Sequence, residues 1–470
     1  MSKIVLIGAG SAQFGFGTLG DIFSSKILEG SQVVLHDIDA TALDKVFKTA
    51  TRYIEEKQLQ FSLSATTARK EALQGADFCV ISIEVGDRFA LWEQDFKIPR
   101  EYGIRQVYGE NGGPGGLFHS LRIIPPILEI CSDIHSICPD AQVFNYSNPM
   151  SRICLAVSRK FPDLKFVGLC HEVFSLRRHL PLMLETPLEN LMIRAGGLNH
   201  FSVLLEVRYK NLDLDLDLDL DLDRKAVKRQ KTVQDQVQDQ DQVPGSDAYP
   251  DVRKKALAYF KNIPGDATLL GQLVGAGEVP TRPWAERGLF AVMLSRFGVL
   301  PITLDSHFGE YLQWAHEVVD HDGIADFFTY YRRYCREKQP GIEMAFSEER
   351  AVPIMEGILK DSGHQELAVN IINTGYIDNL PQNLVVEVPA VVGKNGVTGV
   401  PLGELPKGIA GLLQNQVAVH ELTVESVLKK SKSAALQALL VDPVVDSLKA
   451  AEKTLGRMLE LQKPWLGYLE

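Results

Sequence analysis

Aliphatic residues stand side by side in the opening run Lys3-Ile-Val-Leu-Ile-Gly-Ala-Gly-Ser11. A strand with one wet face alternates apolar and polar residues, so this run predicts a strand covered on both faces. Similar apolar runs follow at Gln32 to Asp37, Phe78 to Glu84, Gln142 to Asn145 and Lys165 to Leu169, with helix-length stretches between them. Strands alternating with helices predict right-handed crossovers and a doubly wound parallel sheet of the Rossmann type. In such folds ligands bind beyond the carboxyl ends of the strands.

After His200 the pattern changes. Phe201 to Tyr209 reads as one more strand. Six Leu-Asp pairs then run from Leu212 to Asp223, followed by a basic stretch from Arg224 to Lys231 and a Gln/Asp/Val-rich stretch to Val243. Six aspartates along one strand face would repel one another, so residues 211–245 are expected to be a solvated low-complexity insertion, with an edge strand as the other reading. From Tyr249 to Gly341 helical spacing dominates, and Phe308, Leu312, Ala315 and Val319 are expected to be core. Strand-like runs return at Ala368 to Ile372 and Asn383 to Val388, and Thr423 to Glu460 reads as terminal helices. The expected organisation is a nucleotide-binding domain over residues 1–200 and a second, mixed but largely helical α/β domain over 201–470. A chain of 470 residues has room for both.

Charge narrows the function classes. Lysine plus arginine number 49 and aspartate plus glutamate 60, a net charge of −11. Such a balance disfavours nucleic acid as a partner, because phosphate backbones call for a basic surface. The sequence contains no apolar run of membrane-spanning length, and Met1-Ser2-Lys3 leads straight into a strand without a signal-peptide pattern. A soluble cytoplasmic protein is expected. The six cysteines form no CxxC pair and read as reduced thiols, most of them buried.

Gly8-Ala9-Gly10-Ser11 ends a strand and opens a helix, where missing side chains let backbone amides approach a pyrophosphate. The third glycine of the dinucleotide fingerprint is absent: Gln13 holds its place and Gly15 comes two residues late. Asp37, at the end of the second strand, would accept hydrogen bonds from an adenosine ribose and repel a 2′-phosphate. It thereby favours NAD over NADP, with Asp39 competing for the role. Three further motifs fall at chain reversals: Asn145-Tyr-Ser-Asn-Pro-Met150, Gly168-Leu-Cys-His-Glu-Val173 and Gly196-Gly-Leu-Asn-His-Phe201. Cys170 and His200 could converge on one divalent metal with open positions for substrate oxygens. On spacing alone, a buried cysteine beside a satisfied core histidine is the favoured reading, since two ligands are fewer than a structural zinc needs.

The opening strand and glycine turn, Gly112-Gly-Pro-Gly-Gly116, Asn148-Pro-Met150, Cys170-His-Glu-Val173, Asn199-His200 and Leu405-Pro-Lys-Gly408 occur in this order along the chain. In that order they resemble glycoside hydrolase family 4, over nearly the whole chain except the Leu-Asp insertion. This family departs from two-carboxylate glycoside hydrolysis by using NAD. The resemblance implies that NAD takes hydride from sugar C3 and that a base removes the acidified C2 proton. A divalent metal, typically manganese, stabilises the enediolate; the C1–O bond is eliminated, water adds and the hydride returns. It implies Cys170 and His200 as metal ligands and Asn148 at the substrate and the cofactor. His171 would help the leaving group or orient substrate, and dimers or tetramers are the implied assemblies. The Cys-His-Glu-Val string is similar to those of members acting on α-glucosides or α-galacturonides. For the latter, Arg177 or Arg178 could pair with the sugar carboxylate, although adjacent helical residues diverge by about 100° and only one can point inward. The family places its C2 base in the helical second half, ahead of a turn resembling Arg296-Phe297-Gly298, where this chain has the apolar Val292. Asp305 and Tyr249 are the candidates for the base, and Glu110 is a further candidate for substrate contact.

Two other readings stand beside this one. An NAD-dependent hydroxy-acid dehydrogenase would share the first domain yet need neither a metal nor Cys170. A non-catalytic nucleotide sensor would bind NAD and break no bond.

Overall fold

A computed structural model of the chain describes residues 1–10, 12–210, 245–276, 282, 284–337, 347 and 349–470. Ser11 and the Leu-Asp stretch lie outside the described residues.

Six parallel strands form the first half of the sheet: β1 (Lys3–Ile7), β2 (Gln32–His36), β3 (Ser62–Thr66), β4 (Phe78–Ile81), β5 (Gln142–Asn145) and β6 (Phe166–Gly168), in the order β3-β2-β1-β4-β5-β6. This is the doubly wound order the alternation predicted. Both faces of β1 are buried. Ile4 and Leu6 pack with Leu19, Ile22, Leu43 and Val46 on one side, and Val5 and Ile7 pack toward Leu117, Leu121 and Ile153 on the other. Four aliphatic residues in a row are thus satisfied by helices on two faces, at roughly 1.5–3 kcal/mol for each side chain buried. The first face holds α1 (Ala12–Ser24) and α2 (Ala40–Lys57). The other holds α5 (Gly113–Ile137) and α6 (Met150–Lys160), backed by helices from the end of the chain; α3 (Arg69–Leu73) and α4 (Arg88–Glu101) complete the connections.

The sheet does not stop at β6. The hairpin β7 (Leu191–Leu198) and β8 (Phe201–Lys210), the short β9 (Gly245–Asp247) and β10 (Leu300–Pro301), and the late strands β11 (His364–Ile372), β12 (Val385–Gly393) and β13 (Gly396–Gly399) extend it antiparallel. The path runs β6-β11-β12-β7-β8-β10, so two strands from late in the chain lie between β6 and β7. Register aligns Gly168, Asn370, Glu387 and Gly197 in one row across this junction.

The second half is helix-rich. Helices run Tyr249–Asn262, Asp266–Leu273, His321–Glu337 and Ala351–Lys360. The terminal helices begin at Lys407, ahead of Thr423, with the non-helical Pro406 at the N-terminus of the first. Phe308, Leu312, Ala315 and Val319 are all buried, but their segment is broken into one short helix and two 3₁₀ turns. The apolar spacing reported burial correctly, and the i+3 and i+4 contacts survive in separate turns. Among the described residues all six cysteines are free, and no helix is long and apolar enough to cross a membrane.

Candidate active site

A cleft of about 790 Å³ opens over the carboxyl ends of the parallel strands. Gly8, Asp37, Asn148, Cys170, His171, His200 and Glu110 all line it.

At one end lies the glycine turn. Gly8 has φ +90°, and a Cβ there would sit 1.9 Å from the Ser82 carbonyl oxygen, so only glycine fits. The Gly10 amide donates to Asp37 Oδ2 at 2.7 Å, and the Asp39 amide to Asp37 Oδ1 at 2.9 Å. An ionised carboxylate has about four acceptor sites, which leaves Asp37 two for a pair of hydroxyls. Asp39 is occupied as the cap of α2, accepting from the amides of Thr41 and Ala42, and is not among the residues lining the cleft. The missing third glycine also has an account: Gly15 takes the close-packing role, since a Cβ there would meet the Ala9 carbonyl oxygen at 2.6 Å.

At the other end Cys170 Sγ and His200 Nε2 stand 3.4 Å apart. Thiolate and imidazole bonds of the usual lengths to one cation place S and N roughly 3.1–3.6 Å apart for angles from square to tetrahedral. The pair therefore has the spacing of two ligands on one ion. His200 sits in the two-residue turn between β7 and β8 with φ +61°, a conformation a histidine adopts at a cost and one that gathers at functional sites. Burial pushes the His200 imidazole well below its ordinary pKa, leaving it neutral with a lone pair to offer. Burial, with the Glu387 and Glu172 carboxylates nearby, pushes the Cys170 thiol well above its usual range. A divalent cation between them is the group that would reverse that penalty. Among the described residues no group of three or more His, Cys, Asp or Glu side chains is placed to hold a metal ion.

Buried Glu387 underpins the pair. Its carboxylate accepts from Asn199 Nδ2 at 3.0 Å, Ser202 Oγ at 2.7 Å and Asn370 Nδ2 at 3.2 Å, tying the turn that carries His200 to the strands beside β6. Asn148 Oδ1 is buried without a protein partner in the same cleft. His171 is well exposed, with Nδ1 3.2 Å from Glu349 Oε1.

Several residues that sequence reasoning missed complete the wall. Arg88 Nη2 meets Glu110 Oε1 at 2.7 Å, Arg88 Nη1 donates to the Tyr331 hydroxyl at 3.3 Å, and Arg88 Nε lies 3.8 Å from Glu84 Oε1. His307 Nε2 is 3.4 Å from Glu110 Oε2, and its ring packs edge-on to His200 with centroids 4.6 Å apart. Glu110 is desolvated, yet His307 and Arg88 hold it far below the usual carboxylate range. Glu310 accepts from the amides of Glu110 and Asn111 and so fixes the turn ahead of α5. These residues come from distant segments and share no local motif; Asp87-Arg88 opening a helix just after β4 is the one local signal.

Other expected residues lie elsewhere. The Asp305 carboxylate is wholly buried and accepts from the amides of Gly288 at 2.7 Å and Leu289 at 2.9 Å, capping a short helix away from the cleft lining. The Tyr249 hydroxyl donates to the Leu204 carbonyl at 2.8 Å and accepts from the Leu300 amide at 3.0 Å, bridging β8 and β10. Neither reaches the cleft as a C2 base. Arg177 and Arg178 are both exposed; the Arg177 guanidinium lies over the Phe174 ring, and neither arginine lines the cleft.

The doubly wound sheet, with one cleft that joins the glycine turn to the Cys170–His200 pair, defines an α/β protein of the Rossmann type. Residues 3–186 match the family 4 glycosyl hydrolase profile and residues 195–445 that of the family 4 glycosyl hydrolase C-terminal domain. The chain belongs to the family 4 glycosyl hydrolases. It is 52% identical to an α-glucosidase from Erwinia rhapontici, covering 100% of both chains. It is 29% identical to an α-galacturonidase from Thermoanaerobacterium saccharolyticum, over 98% of this chain and 96% of that one. A crystal structure of a 6-phospho-α-glucosidase from gut microorganisms, in complex with NAD and Mn²⁺, superposes with a TM-score of 0.74 at 22% identity, covering 98% of each chain.

Proposed function

We propose that the chain is an NAD- and divalent-metal-dependent glycosidase that cleaves α-glycosides of an uncharged hexose, with α-glucosides first among them. The observation that carries this reading is the meeting, in one cleft, of a glycine turn with its ribose-ready Asp37 and a thiol–imidazole pair at metal-ligand spacing. When bound, NAD supplies a reversible hydride acceptor and the metal a Lewis acid for vicinal sugar oxygens.

The chain's own residues do the rest. Gly8 and Gly10 admit a pyrophosphate close to backbone, and Asp37 holds the ribose. Cys170 and neutral His200 supply the metal ligands, while Glu387 fixes the turn between β7 and β8 from below. Asn148 Oδ1, buried and unpartnered, accepts from a sugar or ribose hydroxyl. His171 stands beside the metal ligand, exposed enough to reach a leaving oxygen and held at Nδ1 by Glu349. These roles match the family resemblance in the sequence.

The charge of the lining favours a neutral sugar. Its described residues include the carboxylates Asp37, Glu84, Glu110, Glu172 and Glu349 and the guanidinium groups Arg69 and Arg88. Arg69 pairs with Asp133 at 2.5 Å and Arg88 with Glu110 at 2.7 Å, so each arginine already has a carboxylate partner. The 52% identical relative, an α-glucosidase, agrees with this choice.

Proton NMR of the sugar released from an α-glucoside in heavy water, with NAD, manganese and a thiol reductant, tests the reading. Release with deuterium at C2 is expected. Release without C2 exchange, or oxidation of substrate in step with net NADH formation, would overturn it.

A further inference from the structure

Among the described residues, both guanidinium groups on the cleft wall, Arg69 and Arg88, face a carboxylate, and the surroundings of Arg88 are the more elaborate. Arg88 opens α4 and projects into the cleft with its side chain 30% exposed. Its guanidinium lies within 6 Å of three ring centroids: Phe89 at 5.9 Å, Trp92 at 5.7 Å and Tyr331 at 5.4 Å. An arginine among aromatic rings in a cleft of this kind is a ready receptor for a carboxylate or phosphate, because its planar fork matches both. Here the short contact at Nη2 is taken by Glu110, whose side chain is only 7% exposed. Glu110 is fixed in turn: Glu310 accepts from its backbone amide, and the His119 ring Nδ1 lies 2.9 Å from its carbonyl oxygen. It also stands one histidine away from the metal-type pair, through His307. A sugar held by its vicinal hydroxyls at Cys170 and His200 thus shares its cavity with the Arg88–Glu110 wall.

We infer that Glu110 is a specificity-determining residue: by occupying Arg88 it bars glycosides with an anionic group at C6, and removing its charge opens the cleft to them. This rests on the neutral-sugar reading above and deepens it. The carboxylate acts in two ways. It takes the Nη2 donor of Arg88 that an anionic substrate would need, and it repels that substrate's charge inside a partly desolvated site, where Coulomb terms are strong. Glu110→Gln keeps the size and the acceptor oxygen while removing the charge. A uronate or phosphate can then compete for the fork on favourable terms.

The test uses the full-length protein with NAD and manganese and three 4-nitrophenyl α-glycosides differing only at C6: glucoside, glucuronide and glucoside 6-phosphate. Wild type is expected to cleave the glucoside and discriminate against both anions; failure on the glucoside would sink the neutral-sugar reading itself, a separate result. Glu110→Gln is expected to raise the ratio of anionic to neutral kcat/KM by about tenfold or more, the worth of one charge-assisted hydrogen bond. Gain with the phosphate alone, or with both anions, supports the inference. If turnover is too low to measure, displacement binding of glucose, glucuronate and glucose 6-phosphate to the variant gives the same ratio. An unchanged ratio overturns the inference. So does a gain that persists in the double variant Glu110→Gln/Arg88→Met, because Arg88 would then not be the receptor.

Discussion

Replacing Tyr249 with phenylalanine removes one oxygen and separates a chemical from a structural role. That hydroxyl is buried and makes two hydrogen bonds, to the Leu204 carbonyl at 2.8 Å and from the Leu300 amide at 3.0 Å. Without it a backbone donor and a backbone acceptor lose a partner under the helix Tyr249–Asn262. Leaving such groups unsatisfied costs about 1–3 kcal/mol. At about 2.1 cal/mol/K per residue the unfolding entropy of a chain this long is about 1 kcal/mol/K, so the midpoint should fall by about 1–3 °C. Had Tyr249 been the proton-abstracting base, kcat would fall by about 10²- to 10⁴-fold. The assay pairs thermal unfolding at a fixed scan rate with steady-state kinetics on an α-glucoside. A lower Tm with kcat/KM within about twofold of wild type is expected; loss of activity at unchanged Tm would refute the placement of Tyr249 as a bridge between strands.

Asp37→Ala should weaken NAD binding by about tenfold or more in calorimetry, since two hydroxyl acceptors and the tether to the Gly10 amide go together, while manganese affinity holds. Cys170→Ser should do the reverse: manganese binding, followed by the spin resonance of the free ion, should drop by more than the roughly 10- to 100-fold seen for outer-shell partners, with NAD affinity kept. Asp21 carries a pH signature, because burial raises its carboxyl to about 6 despite hydrogen bonds from Ser347. Its folded pKa lies above the unfolded one, so ionised Asp21 costs stability above pH 6, and the cost fades as pH falls from about 6 toward 3.8. Asp21→Asn should therefore raise Tm more at pH 8 than at pH 5; an equal shift at both would show that Asp21 does not titrate in that window.

The sheet was legible because its evidence is local. Runs such as Ile4 to Ile7 cannot be wetted on either face, and helices on both sides follow. Gly8, Gly10 and Asp37 were legible for the same reason, being a turn and a strand end with fixed geometry. The rest of the cleft was not. Arg88, Tyr108, His307 and Tyr331 lie far apart in the chain and meet only through the packing of α4 against helix His321–Glu337 and the segment around Phe308. Asp305 misled for a physical reason: an acid at a helix start, followed by Ser-His, reads as chemistry, yet its carboxylate caps another helix. The arginines after Cys170-His-Glu-Val misled likewise, as their helix turns both to solvent.

The order in which the strands are made differs from the order in which they sit. By residue 200 a growing chain has emitted both Cys170 and His200, but the strands that set their separation, β11 and β12, emerge only by residue 393. Until then β6 presents an unpaired edge and the turn between β7 and β8 has no frame to hold it at its neighbour. The two halves that match separate family profiles are thus interleaved in the finished sheet, and neither owns the site. The spacing of Cys170 and His200 is accordingly a property of the completed chain, set late in synthesis rather than with the two residues themselves.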